Sequence, residues 1–141
     1  MNSLYETIME SNNDAQKIFI VIKPGFLYLG GYIINKFKEN GWSVEKTIVK
    51  KLLLKEAQKM YKMHKKESFY KPLCEYMASD ICRAFILTKP GYQSKNTFKS
   101  VADIKDEIRE KYGESDMRNV LHSSDSMENM IHEASIFFGV I

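Results

Sequence analysis

Apolar residues run almost unbroken through residues 17 to 23, KIFIVIK, and stop at Pro24-Gly25. A short continuous apolar stretch closed by turn residues predicts a central strand, buried on both faces. A helical period follows over 28 to 40, with Ile33, Ile34 and Phe37 inward and Gly41 as its stop. Residues 42 to 51 read as a half-exposed strand, with Val44 and Ile48 inward and Lys46 and Lys50 outward. Leu54, Ala57, Met60, Tyr61 and His64 then share one face of a helix whose other face carries Lys55, Lys59, Lys62 and Lys66. A second short helix spans Phe69 to Met77, with Pro72 in its first turn, where proline is tolerated. Residues 81 to 88, ICRAFILT, predict a third strand, which Lys89-Pro90-Gly91 breaks. Residues 92 to 100 read as an irregular basic connection, and 101 to 112 as a short helix ending at Gly113.

The last segment changes character within a few residues. Val120 and Leu121 suit the end of a buried strand, and the sequence turns polar at His122. Taking Asp125 as the helix cap puts Glu128 three positions on, a capping box. The helix so started buries Met127, Met130, Ile131, Ala134, Phe137 and Phe138, with Glu133 on the flank of that stripe. A histidine just before a helix, with a carboxylate two turns into it, supplies a nucleophile and a group to orient it. The element order β-α-β, helices, β, helix, β-α predicts an α+β fold, a ferredoxin-like sandwich with one antiparallel four-stranded sheet covered by helices. Pattern alone also leaves a flavodoxin-like arrangement open. Residues 1 to 15 are polar and read as a flexible tail, with the folded domain at 16 to 141.

Composition narrows the function classes. A chain of 141 residues builds one domain. A net charge of +3 permits anionic ligands but argues weakly for nucleic acid, and no paired aromatic strand motif for RNA is present. Cys74 and Cys82 are the only cysteines, with no metal-binding spacing, so both are expected reduced, in the cytoplasm. The first residues lack a basic, apolar leader, and no stretch is long and apolar enough for a membrane span. Leu29-Gly30-Gly31 does not have the spacing of a phosphate-binding P-loop.

The stretch RNVLHSSDSMENMIHEASIFF resembles the active-site segment of nucleoside diphosphate kinases, R-N-x-x-H-G-S-D-S with a glutamate eleven positions after the histidine. That glutamate is Glu133, and one position departs, Ser123 for glycine. The resemblance covers residues 17 to 138 and implies the ferredoxin-like fold and a kinase passing the terminal phosphate of a nucleoside triphosphate to a nucleoside diphosphate through a phosphohistidine. It implies His122 as nucleophile with Glu133 orienting it, and a nucleotide held by Lys23, Tyr61, Phe69, Arg109 and Asn119. Phe69 would stack on the base and Asn119 bond the sugar, while Lys23 and Arg109 would meet phosphate. Lys95, Lys99 and Ser124 are further candidates for phosphate contact. Mg2+ is implied as cofactor, held by the phosphates rather than by a carboxylate cage.

Several positions depart from the family pattern. Gly25 and Phe26 replace Asp and Gly in the Lys-Pro turn, Glu107 and Glu110 flank Arg109, and the loop over 89 to 105 is shortened. These motivate a rival reading, a weakly active or inactive nucleotide-binding or regulatory module on the same fold. The resemblance also implies a homo-oligomer. The short loop, and a chain stopping at Ile141, favour a dimer through the strand at 42 to 51 and the helix at 28 to 40, with Tyr32 and Trp42 as interface aromatics; a hexamer is the alternative.

Overall fold

The computed structural model describes residues 15–139. Four strands, β1 (Ala15–Ile22), β2 (Ser43–Lys50), β3 (Cys82–Pro90) and β4 (Leu121–Ser123), form one sheet in the order β2-β3-β1-β4. Every neighbouring pair is antiparallel. This is the ferredoxin-like order, which removes the flavodoxin-like alternative. The expected tail lies outside the described residues except for Ala15, which already pairs with Pro90 in β1.

β1 is apolar on both faces because each face has its own core. Phe19 and Val21 point into one cluster, and Ile18, Ile20 and Ile22 into the other. Helices α1 (Gly30–Glu39) and α4 (Lys95–Tyr112) cover the isoleucine face through Ile33, Phe37, Val101, Ile104 and Ile108. The other face carries α2 (Leu54–Met60), α3 (Tyr70–Met77) and α5 (Met127–Phe138), packed through Ala57, Met60, Met77, Met130, Ala134 and Phe137.

Four details correct the sequence reading. The connection over 92 to 100 is not irregular: Ser94 caps α4, accepting from Asn96 N and bonded in turn to Thr97, so the helix starts at Lys95. The cap of α5 is Ser126 rather than Asp125; Ser126 Oγ accepts from Asn129 N at 3.1 Å, while Asp125 bonds the Asn129 side chain. A bulge between Val44 and Lys46 leaves Val44 exposed, and Lys50 turns toward α2 and α5 to meet Glu56 and the Ile136 carbonyl rather than solvent. Trp42 is buried in the isoleucine-face core, and Tyr32 packs edge-on against Tyr112, so Trp42 is not available to an interface.

β4 pairs with only Ile20, Val21 and Ile22 of β1. Further along β1, the Gln93 side-chain amide accepts from Lys17 N and donates to Lys17 O at 2.8 Å, occupying both hydrogen-bonding groups of that residue.

Candidate active site

The site forms where β1 and β4 end. Val21 and His122 are register partners, so His122 projects on the α2, α3 and α5 side of the sheet. Its Nε2 lies 2.6 Å from Glu133 Oε1, on the buried side of α5. Ser124 Oγ donates to the same carboxylate oxygen at 2.6 Å. Tyr61, at the end of α2, meets the His122 ring edge-on at 5.8 Å between centroids. The imidazole is therefore held by one nitrogen and braced by an aromatic wall, which leaves Nδ1 as its uncommitted nitrogen.

A cleft of about 480 Å³ opens beside this pair, lined by Lys23, Tyr61, Phe69, Arg109, Asn119 and His122 together with Pro72, Leu73, Asp116 and Met117. Lys23 ends the β1 run; its buried ammonium donates to Asn119 Oδ1 at 2.6 Å and to the Met117 carbonyl at 3.3 Å. Burial, and then the charges of Arg109 and Lys105, push Lys23 down to about 7. Arg109 donates to the carbonyls of Asn119 and Leu121, at 3.2 and 2.8 Å, and so ties the His122 segment to α4. Burial lowers its pKa. Glu107, one of the two acids that flank Arg109 in the sequence, pairs with Lys36 of α1 at 2.7 Å.

Two further groups fit an incoming ligand. The Tyr61 hydroxyl is buried and has no hydrogen-bond partner among the described residues, and burial raises its pKa well above the usual phenol range. It is a donor without an acceptor in a cleft with two cations. Phe69 is 47% exposed, unusual for a phenylalanine, and presents its ring at the cleft mouth beside His64.

The backbone before His122 is strained. Val120, fully buried, has φ +80°, a left-handed conformation that a β-branched residue rarely adopts. Neighbouring bonds hold it there: Val120 O accepts from Lys23 N at 2.9 Å, and the carbonyls on either side accept from Arg109. The kink separates Asn119, whose side chain turns to Lys23, from His122, which turns to Glu133.

The structure thus brings His122, Glu133, Lys23, Tyr61, Phe69, Arg109 and Asn119 together. The other three candidates fall elsewhere. Ser124 is buried and spends its hydroxyl on Glu133, and exposed Lys95 and Lys99 line a separate depression outside the cleft. Gly25, Phe26 and Ser123 do not line the cleft. Phe26 is buried, Arg118 lies over both its ring and that of Tyr76, and a Cβ at Gly25 would come within 2.9 Å of the Arg118 guanidinium. Lys105, which the sequence reading passed over, lies close enough to Lys23 for its charge to depress that lysine. Its position four residues before Arg109 in a helix was the available signal.

The family model described as nucleoside diphosphate kinase matches residues 16–140. A nucleoside diphosphate kinase of Kosmotoga olearia is 31% identical over 132 residues, covering 87% of this chain and 88% of that one. One from Helicobacter pylori strain P12 is 33% identical over 131 residues, covering 87% and 95%. Among solved structures, the Aquifex aeolicus nucleoside diphosphate kinase superposes with a TM-score of 0.74 at 23% identity, over 86% of this chain and 94% of that one. The apo enzyme of Encephalitozoon cuniculi gives 0.74 at 23% over 89% and 90%, a likeness of fold.

Proposed function

The chain belongs to the nucleoside diphosphate kinase family and is a phosphotransferase, and from that premise we propose how its cleft moves the terminal phosphate of a nucleoside triphosphate to a nucleoside diphosphate. The observation that carries the reading is the His122–Glu133 pair at 2.6 Å, opening on a cleft with two cations. Glu133 holds the proton on Nε2, so the lone pair sits on Nδ1. Nδ1 attacks the terminal phosphorus; an N–P bond forms, the P–O bond to the leaving diphosphate breaks, and the diphosphate keeps the electron pair. The ring becomes cationic as it takes the phosphoryl group, and the Glu133 carboxylate stabilises that charge. A second diphosphate enters the same cleft and reverses the step.

Lys23, Arg109 and the Tyr61 hydroxyl supply charge and a hydrogen bond to phosphate oxygens. Phosphate would restore the full positive charge of Lys23 and give Tyr61 its missing acceptor. Phe69 offers a face to any base, and Asn119 a polar side chain to the sugar. The cleft provides one carboxylate, Asp116, beside its cations, and among the described residues no group of three or more His, Cys, Asp or Glu side chains could hold a metal. That donor set suits Mg2+ carried in on the phosphates, with Asp116 as the chain's own contribution. When bound, the ion neutralises phosphate oxygens.

The departures from the family pattern lie outside the cleft lining, which favours an active enzyme over a silent nucleotide-binding module. We place it in the cytoplasm, where Cys74 and Cys82, both free and buried, would stay reduced. No helix among the described residues is long and apolar enough to cross a membrane. For assembly we propose a dimer, with β2, one edge of the sheet, and its exposed Val44 at the contact, and a hexamer as the alternative.

Radiolabelled ATP tests the mechanism. The chain should acquire acid-labile, alkali-stable label, and His122→Gln should abolish it. Full labelling of His122→Gln would sink the assignment.

A further inference from the structure

Lys23 and Asn119 reach the cleft from two separate pieces of chain, the turn that follows β1 and the segment that leads into β4. Arg118 precedes Asn119 and does not line the cleft. Its guanidinium is engaged elsewhere. It lies over the ring of Phe26 at 5.4 Å and over the ring of Tyr76 at 5.3 Å, and its Nε donates to Glu114 Oε1 at 3.0 Å. One cation thus joins the β1 turn and α3 to the segment before β4, through two aromatic faces and an ion pair.

The two residues that depart from the family pattern in the Lys-Pro turn both serve this arrangement. Gly25 has φ +88°, and a Cβ on it would come within 2.9 Å of Arg118 Nη2, so the turn leaves room for the guanidinium only as glycine. Phe26 is fully buried and supplies a ring where the pattern has glycine. Tyr76 is held to the same turn by its hydroxyl, which donates to the Pro24 carbonyl at 2.6 Å. On the other side of the contact the backbone is folded on itself. Arg118 O accepts from Glu114 N and Ser115 N at 2.8 and 3.2 Å, and Ser115 Oγ accepts from Arg118 N at 2.9 Å. Lys23 Nζ donates to Asn119 Oδ1 and to the Met117 carbonyl, and these are the two residues that flank Arg118. The clasp therefore closes from both ends: Arg118 onto the turn that carries Lys23, and Lys23 onto the neighbours of Arg118.

We propose that Arg118 is a positioning residue for nucleotide binding: stacked on Phe26 and Tyr76, it fixes the β1 turn against residues 117 to 119 and so sets where Lys23 and Asn119 meet the nucleotide. This rests on the nucleotide reading of the cleft. A lysine is a point charge on a flexible stem, so its aim depends on how its backbone and its partners are held. Arg118 touches neither the cleft nor His122, and it acts through Lys23 and Asn119. The nucleophile is held by other means, with Arg109 on the carbonyls of Asn119 and Leu121 and Glu133 on the ring. Loss of the clasp therefore falls on nucleotide affinity more than on the rate of the saturated enzyme.

Arg118→Met, Arg118→Lys, Lys23→Met and the double variant Arg118→Met/Lys23→Met test this by calorimetric binding of ADP, single-turnover labelling with ATP, and thermal melting. Arg118→Met should weaken ADP binding by about 5- to 20-fold, the worth of two cation–π contacts, and leave labelling at saturating ATP within about threefold of the parent. Arg118→Lys keeps a cation over the rings and should recover most of the affinity. On top of Lys23→Met, Arg118→Met should cost no more than about threefold in ADP affinity, because the residue it positions has gone. Phe26→Leu keeps the core filled and withdraws one ring, and should weaken ADP binding by about 2- to 5-fold; it carries the test if Arg118→Met does not fold. ADP affinity of Arg118→Met, or of Phe26→Leu in its place, equal to that of the parent would overturn the proposal. So would the full loss recurring in the Lys23→Met background, which would mark a general structural role. If the parent neither binds ADP nor takes label, the nucleotide reading has failed and this inference fails with it; a parent that binds ADP beside an Arg118→Met variant that binds it equally well removes this inference alone.

Discussion

Replacing Glu133 with glutamine keeps the size and hydrogen-bonding oxygen of the side chain and removes its charge. In the structure one carboxylate oxygen accepts from His122 and Ser124, both at 2.6 Å, and the group is buried. At an effective dielectric constant near 20, a carboxylate and a full positive charge about 4 Å away attract by ~4 kcal/mol. A loose phosphoryl transition state leaves the ring with only part of that charge, so about half of the attraction, ~2 kcal/mol or ~30-fold in rate, is at stake. Glu133→Gln should therefore slow phosphoenzyme formation by about 10- to 100-fold. Nucleotide affinity should barely move, because Glu133 does not line the cleft. Ser124→Ala removes only one bond to the carboxylate and should cost less, roughly 0.5–1.5 kcal/mol. Combined with Glu133→Gln it should add less than its separate effect, since both act through one oxygen. Rapid-quench labelling gives the rates, and thermal melting shows whether the variants stay folded. A Glu133→Gln enzyme within twofold of the parent would refute the electrostatic role.

The remaining predictions concern Lys23 and Val120. Lys23 titrates near 7 in the folded chain against the ordinary lysine value of 10.5, so between those values the unfolded chain binds a proton that the folded chain has released. Stability of the empty protein should rise with pH across that window, by on the order of 3–5 kcal/mol in full, and the cost of the charge should be complete below it. Lys23→Met should flatten the rise in urea titrations at pH 6.5 and 9, and an unchanged slope would contradict the burial argument. At Val120, φ +80° reverses an ordinary ranking: Val120→Gly should be at least as stable as Val120→Ala, because glycine sheds about 1–2 kcal/mol of left-handed cost that alanine keeps. An alanine variant more stable by ~1 kcal/mol, the usual order within strands, would show that the strain is not there.

Much of the fold was legible because each apolar run has a single outlet. KIFIVIK could only be a strand with two covered faces, and the two cores divide its residues by alternation. The start of α4 was hidden because its first turns are basic and polar, and the signal lay in Ser94 and Thr97 rather than in hydrophobic period. Ser126 capped α5 instead of Asp125 because consecutive cap-forming residues offer competing starts, and only the chain path selects one. The bulge at Val44 and the burial of Trp42 depend on pairing with β3 and on packing under α1. At the site, the eleven-residue interval from His122 to Glu133 was readable, because a strand end and a helix flank fix where both side chains go. The duty of Ser124 was not, since it depends on which neighbour takes the hydrogen bond.

The Gln93 amide that mimics a strand at Lys17 bears on how these molecules behave in a crowd. Past the three residues paired with β4, the central strand would otherwise present open donor and acceptor groups flanked by isoleucine and phenylalanine. An exposed apolar edge of that kind recruits strands from other chains, and the growing stack seeds aggregates. One side chain from the neighbouring connection fills the donor and the acceptor of Lys17 at once. Solubility at this edge thus rests on a side-chain plug rather than on a longer β4, and the chain after Ser123 is free to turn at once into the Ser126 cap of α5, the helix that carries Glu133 back to His122.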